Sequence, residues 1–173
     1  MSFVRPMHAR HDFSVDTLRD GPVPPLAGAG ATAWPSANLA IYVPFIVPRI
    51  MVVRTLWFGA GATGTGNYDM GLYNASGAAV LRRGSTAKGT TQEEVVWDCT
   101  DTTIGPGLYY FALVASNGTD TYLAFTPSAP SPAAYGMLSE ASALPLPATA
   151  TFAVPQTLAF VPVGGIFLNT IVT

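Results

Sequence analysis

Leu108-Tyr-Tyr-Phe-Ala-Leu-Val-Ala115 runs without a polar break, closed in front by Gly105-Pro-Gly107 and behind by Ser116-Asn-Gly118. A short, continuously apolar run between turn signals reads as a strand covered on both sides. Its neighbours carry the same message. Upstream, Val95, Trp97 and Cys99 fall on one face of a strand, with Glu94, Val96 and Asp98 opposite. Asn67–Tyr73 alternates too, Tyr68, Met70 and Leu72 against Asp69, Gly71 and Tyr73. Asn74-Ala-Ser-Gly77 then turns the chain into a strand over 78–82. Leu39–Val47 and Ile50–Phe58 are rich in β-branched and aromatic residues, and Pro44 predicts an edge or a bulge in the first of them. Downstream, Asn117-Gly118 predicts a hairpin into Thr121–Phe125, and two further strands are expected over 157–163 and 166–172, parted by Gly164-Gly165. A short helix is expected over 133–143. Strands at such short intervals predict an all-β fold, an antiparallel β-sandwich of jelly-roll-like type.

Residues 1–38 read differently. They show no sustained period, and Asp20-Gly-Pro-Val-Pro-Pro25 followed by Ala27-Gly-Ala-Gly-Ala31 cannot continue a helix or a central strand. The expected organisation is an extended N-terminal arm over 1–38 and a sandwich domain over 39–173.

Charge narrows the function. Of 173 residues only 10% are charged and 49% are hydrophobic. A free-standing soluble domain keeps roughly a quarter to a third of its surface charged. After Lys88 there is no lysine or arginine at all. Residues 1–88 hold all eight cations against Asp12, Asp16, Asp20 and Asp69, a net of +4; residues 89–173 hold Glu93, Glu94, Asp98, Asp101, Asp120 and Glu140, a net of −6. No dense basic patch exists to neutralise phosphates, so no nucleic acid partner is expected. The N-terminus has no apolar secretory stretch. The longest apolar run, Leu39–Val53, is interrupted by Pro44, Pro48 and Arg49 and falls short of the roughly 20 residues a membrane helix needs. The composition points to a component of an assembly, with part of its surface covered by protein. Phe3, Phe13 and Trp34 in the arm, and Phe167 and Ile171 in the charge-free tail, are the expected assembly contacts.

Candidate chemistry is sparse. Gly59-Ala-Gly61-Ala-Thr-Gly64 fits G-x-G-x-x-G, but an alternating strand follows it where a dinucleotide site needs a helix. It reads as a hairpin loop. His8 and His11, the only histidines, lie in the arm and leave the β core without the usual general base. Cys99 is the single cysteine, so no intrachain disulfide can form. Adjacent Glu93 and Glu94 face opposite sides of a strand, and Asp69, Asp98 and Asp101 supply too few oxygens for calcium. No enzyme activity, cofactor or metal is expected. Trp57 and Tyr73 are the candidates for stacking against a glycan, helped by loops 59–67 and 116–120.

Several stretches resemble small structural proteins of tailed bacteriophages: Asn38-Leu-Ala-Ile-Tyr-Val-Pro-Phe-Ile-Val-Pro48, Asp69-Met-Gly-Leu-Tyr-Asn-Ala-Ser-Gly77, Gly84-Ser-Thr-Ala87 and Asp101-Thr-Thr-Ile-Gly-Pro-Gly-Leu-Tyr-Tyr-Phe-Ala112, with a weaker echo in Leu144-Pro-Leu-Pro-Ala-Thr-Ala150. The resemblance implies a non-enzymatic virion component on the tail, its fibres or the capsid exterior, a homo-oligomer such as a trimer in contact with other virion proteins. The alternative it leaves open is a host-surface glycan-binding module. It brings no catalytic or binding residues.

Overall fold

Alternation along three adjacent strands builds two cores from one sheet. The computed structural model describes residues 30–127, 132–141, 143–152 and 154–170. Its strands are β1 (Gly30–Ala33), β2 (Ala40–Val47), β3 (Met51–Gly59), β4 (Asn67–Asn74), β5 (Ala79–Arg82), β6 (Thr86–Ala87), β7 (Glu94–Ile104), β8 (Gly107–Ala115), β9 (Thr121–Phe125), β10 (Leu138–Glu140), β11 (Val154–Pro155), β12 (Val161–Pro162) and β13 (Gly164–Thr170). β8 lies between β2 and β4, antiparallel to both. Phe111, Leu113 and Ala115 enter the main core, while Tyr110, Ala112 and Val114 enter a second cluster on the other face. β2 and β4 divide likewise, with Ile41, Val43, Phe45, Tyr68, Met70 and Leu72 in the main core and Tyr42 and Tyr73 in the second. Each large side chain removed from water in this way stabilises the fold by about 1.5–3 kcal/mol.

The large sheet runs β11-β10-β2-β8-β4-β5, with β6 also on β4. Opposite it, β1-β9-β12 and β13-β3-β7 abut through Val163, whose carbonyl accepts from the Gly59 N–H and whose N–H donates to the Leu123 carbonyl. The result is an antiparallel all-β sandwich around the main core.

Residues 143–152 cover the outer face of the large sheet. Ala143, Leu146, Ala150 and Phe152 supply the apolar contact. Polar latches fix it: the Leu146 N–H donates to Asp69 at 2.9 Å, the Tyr73 hydroxyl to the Pro147 carbonyl at 2.6 Å, and Arg82 to the Leu146 carbonyl at 2.8 Å. Gly71 makes room beneath, since a Cβ there would stand 2.7 Å from the Leu81 carbonyl and 3.3 Å from Leu146. The Asn74–Gly77 turn forms as expected. Asn74 Oδ1 accepts from the N–H groups of Ser76 and Ala78, and Gly77 takes a φ of 84°, which only glycine adopts freely.

Several expectations are corrected. Residues 30–38 are not arm: β1 pairs with β9, and Trp34 is core. Residues 1–29 lie outside the described residues. The expected helix over 133–143 is a 3-10 turn, Pro132–Tyr135, followed by β10, whose pairing with β2 outweighs weak helix propensity. Loops 59–67 and 116–120 are not hairpins; each carries the chain from one layer to the other, because β3 and β4, and β8 and β9, belong to different sheets. Of the strand expected over 157–163 only β12 forms. Pro44 is accommodated because β10 pairs only with Ala40–Tyr42, which leaves that side of β2 without a partner at Pro44 among the described residues.

Candidate functional site

Loops 60–66, 88–93 and 116–120 meet at one end of the sandwich, and two buried charges hold them. Asp120 accepts from the N–H of Thr65 at 2.8 Å and that of Gly66 at 3.1 Å. Asn117 sets it up, its Oδ1 accepting from the N–H groups of Thr119 and Asp120. Lys88 donates all three protons to backbone carbonyls: Gly61 and Thr63 at 2.8 Å each, and Gly89 at 3.2 Å. Its ammonium also lies 5.4 Å from the centre of the Tyr122 ring. Burial pushes the Lys88 amine below the ordinary lysine range, opposed by the negative charges of Asp120 and Glu93.

This arrangement is saturated. The amides of Thr65 and Gly66, which a phosphate would need, already serve a carboxylate, and the carbonyls of Gly61 and Thr63 serve an ammonium. The glycine-rich stretch is thus an internally braced loop. Replacing the lysine by a chain of similar length, Lys88→Met, leaves three carbonyls without their donor, at about 1–3 kcal/mol for each that finds no substitute. We expect a fall in melting temperature of roughly 6–12 °C for a 3 kcal/mol loss, measured by calorimetry; an unchanged transition would show that the ammonium braces nothing.

The residues singled out by sequence fall in different places. Trp57 and Tyr73 are buried, and Tyr73 spends its hydroxyl on Pro147. Neither offers a ring face to a sugar, which corrects the glycan-stacking expectation; strand alternation places Tyr73 under residues 143–152. Trp34, expected at an assembly contact, is instead a core residue, edge-on to Tyr122 at 4.9 Å and Phe160 at 5.1 Å, its indole N–H donating to the Leu39 carbonyl. Phe167 is half-buried on an outer face. Phe3, Phe13, His8, His11 and Ile171 lie outside the described residues. Cys99 is buried against the Arg54 carbonyl, and burial pushes its thiol up, away from nucleophilic character. Asp69 does not meet Asp98 and Asp101: it is buried in the large sheet, bonded to the N–H groups of Gly84 and Leu146, whereas they sit on β7, where Asp101 pairs with Arg54 at 3.3 Å. Among the described residues no group of three or more His, Cys, Asp or Glu side chains could hold a metal, and no helix is long and apolar enough to cross a membrane.

At the opposite end the surface is apolar. Ile46 is 73% exposed and Leu108, its cross-strand partner, 39%; Ile50, in the turn just beyond β2, is 54% exposed. Exposed Pro48, Arg49, Pro106 and Gly107 surround them. The cause is a cover that stops short: the 132–137 turn reaches Pro44, and a Cβ on Gly136 would touch its ring at 3.5 Å, but Ile46 and Leu108 lie one step further along the same face. Sequence reasoning missed this group. The available signal was Ile46 itself, an isoleucine out of phase with the inward Phe45 and Val47.

No protein-family model, curated protein or solved structure matches this chain.

Proposed function

We propose that the protein is a non-enzymatic virion subunit of the tailed-bacteriophage kind it resembles, mounted on the tail or capsid exterior and self-associating through the end that carries Ile46, Ile50 and Leu108. The observation that carries the reading is this uncovered apolar end on a chain only 10% charged. Lasting interfaces are more hydrophobic than the rest of a protein surface, and isolated subunits rarely leave such a group in water. The saturated state of Lys88 and Asp120 supports an architectural role over a catalytic one, because every donor and acceptor there that chemistry would use is spent on backbone.

The test is association in solution. At micromolar concentration the full chain is expected to sediment as a homo-oligomer, and Ile46→Asp with Leu108→Asp is expected to sediment as a folded monomer, its melting temperature changed by only a few degrees. A parent chain that stays monomeric overturns the reading. Labelled-antibody electron microscopy of intact particles then places the subunit on the shell, at the tail, or on neither.

A further inference from the structure

β7 ends its sheet, pairing with β3 alone among the described residues. Its side chains carry the mark of an edge. Val95 and Trp97 pack against the main core yet stay half-buried, and along the strand only Cys99 and Ile104 are buried. The hydrogen-bonding groups alternate between the two sides. Ala60 donates its N–H to the Glu93 carbonyl, and an antiparallel ladder alternates bonded with non-bonded pairs. In that register Val95 and Trp97 bond to Phe58 and Leu56. Glu94, Val96 and Asp98 therefore turn their N–H and C=O groups away from β3. Their side chains are exposed as well, Val96 to 48%. The run stops at Asp98: Thr55 pairs with Asp98 and Val53 with Thr102, so residues 99–101 bulge opposite Arg54, which takes Asp101 at 3.3 Å. Glu94 and Asp98 have no cationic partner among the described residues.

We propose that the Glu94–Asp98 edge takes an extended basic segment of another protein as an added strand. Main-chain bonds to Glu94, Val96 and Asp98 supply affinity, and the alternate side chains supply specificity. Charge decides which strand fits, because opposite charges on facing strands attract and like charges repel. A second copy of β7 laid antiparallel about Val96 would set Glu94 against Asp98 twice, so the edge refuses its own kind. The fitting segment instead places cations opposite Asp98 and Glu94. Between them it places apolar side chains opposite Trp97 and Val95, which extends the main core over the two residues that β3 leaves half-covered. Docking at β7 does not rest on self-association through the Ile46 end, and it goes beyond it.

The probe is a fluorescent peptide with the core Lys-Ile-Thr-Ile-Lys, capped at both ends and titrated with the full chain at low ionic strength. By anisotropy it is expected to bind about tenfold more tightly than its Glu-Ile-Thr-Ile-Glu counterpart. Glu94→Lys with Asp98→Lys is expected to reverse that order. Val96→Pro removes a donor only at the free edge, where proline is tolerated. It is expected to weaken the lysine peptide about tenfold, with little change in melting temperature. N-methylation of the peptide at its threonine, which faces Val96, should weaken binding similarly without touching the fold. Failure of the lysine peptide to bind, or equal binding of the two peptides, overturns the inference. Full binding by folded Val96→Pro or by the N-methylated peptide also overturns it, because charge alone would then suffice. An oligomer that Val96→Pro dissolves overturns it in favour of a second copy. Ile46→Asp with Leu108→Asp leaves β7 untouched and is expected to bind the lysine peptide unchanged, so the two readings fail separately.

Discussion

Above pH 10 this protein is expected to unfold steeply, losing about 4 kcal/mol of stability per pH unit. Burial pushes the hydroxyls of Tyr42, Tyr73 and Tyr122 well above the ordinary tyrosine range; the charge of Glu140 adds to this at Tyr42 and that of Asp120 at Tyr122, while Arg82 opposes it at Tyr73. Tyr68 and the Cys99 thiol are raised as well, again chiefly by burial. A raised folded pKa means that stability is fully present below the unfolded value, about 10 for tyrosine and 8.5 for cysteine, and is lost as pH climbs past it. Lys88 works the other way. Its folded pKa is lowered, so its contribution grows as pH rises towards the ordinary lysine range. The three hydroxyls pushed furthest, Tyr42, Tyr73 and Tyr122, withhold about three protons in this range, and each is worth about 1.4 kcal/mol per pH unit. Total stability is typically about 5–15 kcal/mol, so the fold should fail within a few pH units. Denaturant midpoints across the alkaline range measure the slope, and tyrosinate absorbance should rise together with unfolding. Smooth tyrosine titration near pH 10 with the fold intact would sink the argument. Tyr122→Phe sharpens it: the hydroxyl is buried without a partner among the described residues, so the variant should gain about 1 kcal/mol at neutral pH and lose one proton from the slope.

The second large effect is expected at Trp34→Ala, a loss of about 3–5 kcal/mol. The ring is fully buried, meets Tyr122 and Phe160 edge-on, and ties its N–H to the Leu39 carbonyl. Truncation removes all of these contacts and leaves a cavity where β1 joins the sandwich. At roughly 2–4 °C per kcal/mol the melting temperature should fall by about 10 °C. A change within about 0.5 kcal/mol, the range of surface substitutions, would return residues 30–38 to the status of an arm.

That residue also marks where sequence reading ran out. β4, β7 and β8 were legible because side-chain direction in a strand alternates strictly, and the double burial of β8 follows from its unbroken apolar run. The Asn74–Gly77 turn was legible because its chemistry is local. What turn chemistry does not encode is whether the next strand pairs with the last or crosses to the other sheet, and so loops 59–67 and 116–120 were misread as hairpins. Gly30–Ala33 is glycine and alanine with one threonine, and carries no apolar period; only pairing with β9 makes it a strand. The site was harder still. Lys88 shows in sequence as the last cation, but its three carbonyl partners come from two loops brought together by the fold. Tyr73 was correctly placed in a strand, yet what covers it, residues 143–152, lies far away in the chain.

The position of β9 bears on synthesis. It takes β1 along one edge and β12 along the other, so this sheet cannot close on the ribosome until residues beyond 160 have emerged. At about 5–20 residues per second, the 35 residues between β9 and β12 take roughly two to seven seconds to translate. Throughout that interval the nascent chain displays an open backbone ladder beside Tyr122 and Ala124. Such an edge is a template for pairing with other chains, and a chaperone that shields it should raise the yield of this protein more than one that acts after release.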